Sequence, residues 1–374
     1  MKFTKTLVGA ALALGAVSVA SAQVTLYGVV DAGVNYLNIN TGSNYTGSAS
    51  QFCFASGQQS ESRIGVRGVE KINDDLSVNF VLETAVDVGN GTSSTHARRS
   101  TLGVSSKTWG TVDFGRRTTA TSYAMTGIDP FDQYFGTASM RNSFGASYLR
   151  QSNMVMYTSP DFGGFSGSVG YSFDTGFNNV QGTGAAGQFG TSNKHSAVSA
   201  AVRYANGPVT VGIGYDQIIP ANVPGRASSD IKSWMLGGAY DFDVVKLHAA
   251  YGQTTNGIIN GTDTLSNANI TAGSTNTSGG VLFSPGAKTN SWMVGVSAPV
   301  SKSTSVFSSV HQMRPAGGFK SLPATATQTV ASVGSTYALS KRTNVYAYYS
   351  YAKNVAMLEG VKSNTVGLGL RHAF

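Results

Sequence analysis

The chain has 374 residues, 41% of them hydrophobic and 12% charged, with 46 Gly, one Cys and a formal net charge of +8. The charged fraction is about half the ~25% of an ordinary soluble domain, and 17 Tyr with 18 Phe are too many for a disordered chain. Past the N-terminus no apolar run approaches the ~18 to 20 residues of a spanning helix, which excludes a helical membrane protein.

Residues 1–22 read as a cleaved secretory signal. Lys2 and Lys5 form its positive start, Leu7 to Val17 its short apolar run and Ala20-Ser21-Ala22 its small-residue cleavage site, so the mature chain is expected to begin at Gln23. Loss of the two lysines lowers the net charge by two. In an exported protein the lone Cys53 has no intrachain disulfide partner, and with no neighbouring His and no CxxC spacing it carries no expected chemistry.

From Gln23 onward the pattern has period two, the spacing of strands with two unlike faces. The segments fall, in chain order, at 24–37, 62–70, 75–88, 96–106, 109–117, 150–158, 164–175, 194–206, 208–219, 230–242, 244–253, 288–299, 303–314, 326–339, 342–353 and 364–374. That is sixteen, with fourteen or eighteen left open because 303–314 and 326–339 are weakly patterned. Val209, Val211, Ile213 and Tyr215 oppose Thr210, Gly212, Gly214 and Asp216; Trp292, Val294, Val296 and Ala298 oppose Ser291, Met293, Gly295 and Ser297. A soluble sandwich would charge its second face richly. Here that face is Ser, Thr and Gly, as in a wide barrel whose outside meets lipid and whose inside is wet.

Tight turns such as Asn73-Asp74-Asp75, Asn206-Gly207-Pro208 and Ser340-Lys341 alternate with long polar loops at 38–61, 118–149, 176–193 and 254–287. Short turns on one side and long loops on the other are the outer-membrane arrangement, and an even strand number returns both ends to the turn side. The reading is all-β: a transmembrane antiparallel β-barrel of 16 strands in one domain, 23–374, multi-pass in the cell outer membrane. The last strand alternates through Val366, Leu368, Leu370 and His372 to a terminal Phe374, which suits the strand that closes the barrel.

These pieces together resemble the general diffusion porins of Gram-negative outer membranes, in the beta-proteobacterial branch. The resemblance rests on Val24-Thr25-Leu26-Tyr27-Gly28, the run Ser62 to Glu70, the run Trp109 to Arg116, Tyr157-Thr158-Ser159-Pro160 and the Arg371-His372-Ala373-Phe374 end, all in the family order. It implies a homotrimer, Phe374 as the C-terminal signal read by the barrel-assembly machinery, and contact with outer-membrane lipid and lipopolysaccharide. It also implies that the long third loop, 118–149, folds into the lumen and narrows it. Acids of that loop, Asp129 and Asp132, would face a ladder of arginines mapping onto Arg63, Arg98 or Arg99, and Arg150. The family's Pro-Glu-Phe-Gly-Gly string is absent from this loop, and the similar Pro160 to Gly164 lies in a short turn.

Alternation supports the ladder independently, since it turns Arg63 and Arg67 away from Ile64 and Val66 and hence inward. The same parity sends Arg203, Lys246, His248 and Arg371 inward, against Asp31, Glu83, Asp113 and Asp216; Arg99, Arg116 and Arg117 have headgroup-level positions as their alternative. An Arg or Lys on the lipid face at mid-depth costs ~2 to 4 kcal/mol. Tyr27, Trp234, Tyr240, Phe242, Tyr349 and Phe374 read as interfacial girdle.

The expected function is a water-filled channel for passive diffusion of ions and small hydrophilic solutes, with a mild anion preference from the basic bias inside. No enzyme, cofactor or metal is expected: none of His96, His195, His248, His311 and His372 stands in a metal-binding spacing, although abundant Ser leaves a Ser-His-acid site open. A substrate-specific channel would show an aromatic run or a dense like-charge cluster on one pore wall, and neither is evident. The Asn-, Thr- and Gly-rich loops 38–61 and 254–287 read as solvated surface rather than receptor, and no basic patch interleaved with aromatics suggests nucleic acid.

Overall fold

A computed structural model describes residues 23–41, 49–175, 195–221, 229–259, 281–321 and 325–374. The leader assigned to residues 1–22 lies outside the described residues, as does the loop 176–193. The strands are β1 (Gln23–Asn40), β2 (Ala49–Ser56), β3 (Arg63–Lys71), β4 (Leu76–Val86), β5 (Ser93–Ser106), β6 (Gly110–Thr118), β7 (Arg150–Thr158), β8 (Phe165–Ser172) and β9 (Ser196–Asn206). They continue as β10 (Val209–Ile219), β11 (Ile231–Asp241), β12 (Lys246–Ile259), β13 (Val281–Pro299), β14 (Thr304–Gly317), β15 (Gln328–Ala338), β16 (Thr343–Lys353) and β17 (Lys362–Ala373).

All belong to one antiparallel sheet that closes when β1 pairs β17, from Val29↔Ala373 to Asn40↔Lys362. The seventeen strands make sixteen staves, because β2 and β3 are halves of one: both pair with β1, β2 from Ala32↔Ser56 and β3 up to Val29↔Arg63. The break at residues 57–62 turns inward, opened by Gly57 at φ 76. Closure leaves no free edge in lipid, where an unpaired backbone group costs several kcal/mol.

The strands outrun their alternation at the long-loop end. β2 occupies ground read as loop 38–61, and β12 and β13 extend into 254–287. At the outer ends of β12 and β13 both faces meet water, so the apolar/polar contrast that marks a strand in sequence disappears; β2 keeps it only at Phe52 and Phe54. The weakly patterned 303–314 and 326–339 are β14 and β15.

Outward residues are large, apolar and exposed, among them Leu26, Phe54, Leu82, Leu102, Ile213 and Leu368. Rings cover glycines on neighbouring staves. Outside, Phe374 lies over Gly28 and Phe80 over Gly68; inside, Tyr346 lies over Gly369 and Tyr348 over Gly367. Phe374 also exchanges backbone hydrogen bonds with Gly28, each 3.1 Å, which seals the turn-side end of the closing seam. Tyr27 departs from the girdle reading. Its hydroxyl donates to Glu83 at 3.0 Å and Arg67 stacks on its ring at 5.2 Å, so it faces the lumen.

The hydrophobic core lies inside the barrel, between the wall and the segment joining β6 to β7. Met125, Ile128, Met140 and Phe144 of that segment pack on Ile218, Ile231, Met235 and Met293 of the wall. A second cluster joins Phe131 and Phe135 to Phe307, Tyr346 and Tyr348. Burying each such side chain contributes about 1.5 to 3 kcal/mol, so the segment is held against β7 and β9–β16 and leaves the β3–β6 wall largely open.

Candidate functional site

The segment after β6 opens with a short helix, α1 (Ala120–Ala124), whose N-cap Thr119 accepts from the Ser122 amide at 3.2 Å. Three 3-10 turns follow at Gly136–Ala138, Met140–Asn142 and Gly145–Tyr148. Every polar tie to the wall is to an inward-facing residue. Ala120 N–H donates to Ser199 Oγ (2.9 Å), His248 Nδ1 meets the Ile128 carbonyl (2.9 Å), Ser291 Oγ donates to the Ser143 carbonyl (2.6 Å) and His311 Nδ1 meets Ser143 Oγ (2.8 Å). Arg203 donates to the Thr126 carbonyl at 3.3 Å, so this base clamps the segment rather than standing free in the lumen.

The two acids read as loop charges part company. Asp129 is 3% exposed, and its carboxylate accepts from the amides of Phe131 (2.9 Å), Gln133 (3.1 Å) and Met140 (2.9 Å) and from Ser139 Oγ (3.4 Å). It organises the segment and presents no charge to the lumen. Burial raises its pKa to about 6 against the pull of those amides. Asp132 is exposed, at φ 49. Loss of hydration raises its pKa while the Arg371 and Arg63 charges lower it, which puts both bases within its field. With Gln133 at φ 63 and Phe135 at φ 66, three non-glycine residues in four occupy left-handed backbone. Such strain costs about 1 to 3 kcal/mol per residue and persists only under tight packing; here Asp129 and the aromatic cluster supply it.

Opposite lies the basic wall. Arg63 Nε is 3.5 Å from Glu83 Oε2, Arg98 Nε is 2.6 Å from Glu83 Oε1, and Arg98 also pairs with Glu61, whose other neighbour is Arg150 at 3.7 Å. Arg98 donates to the Tyr134 hydroxyl at 3.3 Å, joining this wall to the inner segment. Three guanidinium groups thus meet two carboxylates. Glu61 is absent from the expected set because it sits in the inward break between β2 and β3, read in sequence as part of a surface loop.

Arg98 and Arg99 both point inward. A β-bulge where β4 pairs β5, between Glu83↔Arg99 and Thr84↔Ala97, breaks the alternation that would send consecutive residues to opposite faces. Arg99 and Arg117 pair with Asp113 on the inward face, toward the turn side of Arg98. Arg116 hydrogen-bonds Ser152 Oγ at 2.8 Å. Arg67 lies further toward the turns on Tyr27.

Of the remaining inward charges, Asp31 is 0% exposed, taking bonds from the Tyr346 hydroxyl (2.5 Å) and the Ser60 amide (2.6 Å), with Arg371 directly across the β1–β17 pair. Asp216 is also 0% exposed, on the β10 face that carries α1. Lys246 is partly exposed on the inward face of β12. Cys53 donates to Asn35 Oδ1 at 2.8 Å. Among the described residues no group of three His, Cys, Asp or Glu is arranged to hold a metal.

A family profile described as Gram-negative porin matches residues 9–356. An outer membrane porin of Bordetella pertussis is 39% identical over 99% of this chain and 100% of its own length, and outer membrane porin protein 32 of Delftia acidovorans is 29% identical over 98% of each. Among solved structures, the anion-selective porin from Comamonas acidovorans superposes with a TM-score of 0.69 at 27% identity, over 95% of this chain and 100% of that one.

Proposed function

Since the chain belongs to the Gram-negative porin family, we propose how its charges act on what passes through it. It is an outer-membrane, water-filled channel for passive diffusion of ions and small hydrophilic solutes, and its relatives are channels rather than enzymes. The finer reading is a constriction between Asp132 on the inner segment and the wall Arg63, Arg98, Arg150 and Arg371, with Glu61 and Glu83 in that wall and a mild preference for anions.

The observation that carries the preference is the burial of three acids, which leaves the bases in excess. Asp31, Asp129 and Asp216 are covered and hydrogen-bonded or packed over, which leaves Asp132, Glu61 and Glu83 against Arg63, Arg98, Arg150 and Arg371, an excess of one base. A unit charge ~10 Å from a passing ion contributes about 0.4 kcal/mol at the permittivity of water and about 1.7 kcal/mol at an effective value near 20. A few such bases bias flux without trapping the ion, as rapid permeation requires. Acids facing bases also impose a transverse field that orients polar solutes. Reversal potentials of the mature protein in a KCl gradient test this: a chloride-favouring sign is expected, and a clear potassium preference overturns it.

The same reading makes 23–374 one barrel domain after removal of 1–22, assembled as a homotrimer, with Phe374 as the end recognised during barrel assembly. Support for lipopolysaccharide as the surrounding lipid comes from the outward face at the loop end. Lys232, Lys288, Arg314, Lys353 and Lys362 stand there above Trp234, Tyr251 and Trp292, with Arg314 6.0 Å from the Trp292 ring. Bases above a ring belt complement phosphorylated outer-leaflet headgroups.

A further inference from the structure

A cavity of about 310 Å³ lies on the turn side of the constriction, lined by inward residues of β3–β7 and bordered by Tyr123 of α1. Its charge is unbalanced. Arg99 Nη2 is 3.4 Å from Asp113 Oδ2, and Arg117 Nη1 pairs with the same oxygen, so two guanidinium groups share one carboxylate. The Asp113 side chain is 4% exposed and that of Arg117 11%, but Arg99 keeps 40% on the cavity side. Arg117 Nε is buried with no hydrogen-bond partner among the described residues. The site therefore holds one net positive charge with Arg99 as its accessible face.

Apart from Val69, the rest of the lining is neutral and hydrogen-bonding. Asn79 donates to Ser105 Oγ at 2.8 Å, and Ser105 Oγ lies 2.8 Å from Thr111 Oγ1. Each of these oxygens and amides retains capacity for another partner. A bare halide would use the charge and ignore this row. A small carboxylate carrying several hydroxyls would use both, its carboxylate on Arg99 and its hydroxyls along Asn79, Ser105 and Thr111.

We propose that this cavity is a resting site for small polyhydroxylated monocarboxylates, the sugar-acid class, immediately turn-side of the constriction. The inference rests on the channel reading above. Because Arg98 and Arg99 are consecutive, an anion released from the constriction arginines meets the cavity's arginine next. Retention there gives a solute of this class a longer dwell than a simple anion of equal charge.

The test is planar-bilayer recording of the refolded mature protein in KCl, with sodium gluconate, sodium acetate or glucose added to each side in turn. Gluconate is expected to give a saturable reduction of current, stronger from the turn side, while glucose gives none. Arg99→Gln should weaken the gluconate effect roughly tenfold, the scale of one charge-assisted hydrogen bond. The double variant Ser105→Ala with Thr111→Val keeps every charge; it should weaken the effect of gluconate and spare that of acetate. Equal block by gluconate in parent and both variants, or equal block by glucose, overturns the site. A conducting channel without gluconate-specific block sinks this inference alone, whereas folded protein without conductance sinks the channel reading as well.

Discussion

Arg98 and Arg99, consecutive in β5, reach into the same lumen and hold different acids: Arg98 pairs with Glu83 and Glu61, Arg99 with Asp113. One bulge thereby gives two consecutive bases to the lumen, each with its own acid.

Removing a wall base should move selectivity toward cations. Arg150→Ala takes one positive charge from the open side and leaves Glu61 its bond to Arg98. The chloride-to-potassium permeability ratio should fall by at least about fourfold, the factor given by about 0.4 kcal/mol acting with opposite sign on the two ions, and by more at lower permittivity. Reversal potentials of parent and variant in the same gradient decide it, and an unchanged ratio would place Arg150 outside the ion path.

The two loop acids should behave oppositely on mutation. Asp132→Asn removes an exposed charge facing Arg63 and Arg371, so anion preference should rise while the inner segment keeps its place. Asp129→Ala removes the acceptor of three amides and a hydroxyl in a buried site. Unsatisfied buried donors cost about 1 to 3 kcal/mol each, so the segment should loosen, with noisier current and faster proteolysis between residues 119 and 149. Quiet conductance with an intact segment in Asp129→Ala would refute the organising role.

Asp129 also gives the inner segment a pH dependence of definite sign. Its pKa in the fold is about 6 against an ordinary 3.8, so the folded segment binds that proton more tightly than the open one. Stability from this group is therefore full below the ordinary value and is lost as pH rises from about 4 to about 6, with no further change above. Amide exchange at Phe131, Gln133 and Met140, corrected for intrinsic rates, should be more protected at pH 4 than at pH 7. Asp129→Asn should flatten the difference.

The strands at membrane depth were legible because lipid outside and water inside impose opposite demands on alternate residues. Trp292, Val294 and Val296 against Ser291 and Ser297 state that contrast directly. Where the contrast ends, so does legibility: the outer ends of β12 and β13 are wet on both faces, and β2 shows the contrast only at Phe52 and Phe54. Parity found Arg63 and Arg203 but could not choose between Arg98 and Arg99, because a bulge is a property of the paired strands and not of either segment alone. Glu61 and the fate of Asp129 depend on how chain far away in sequence folds against them. Tyr27 carries the same ring as a girdle tyrosine, and only its Glu83 and Arg67 partners reveal the inward face.

The seam at Gly28 should govern how durable the closed barrel is rather than what it conducts. The Phe374 ring covers Gly28 from the lipid side, and its backbone makes both hydrogen bonds at that end of the closing stave. Phe374→Ala retains the backbone pairs and loses the ring, which is 44% exposed. About half of the usual ~3 to 5 kcal/mol for a fully buried Phe truncation is then at stake, roughly 2 kcal/mol. The variant should lose its compact, heat-modifiable band on detergent gels at a lower temperature than the parent, while single-channel conductance of the protein that has folded stays the same. Gly28→Ala attacks the same contact from below, since a methyl there collides with the ring and with the Arg63 carbonyl. If both variants lower the transition and neither alters conductance, the ring acts as a clasp on the finished barrel. A change in ion selectivity from either would show that the seam is mechanically coupled to Arg63, which pairs with Val29 next to Gly28.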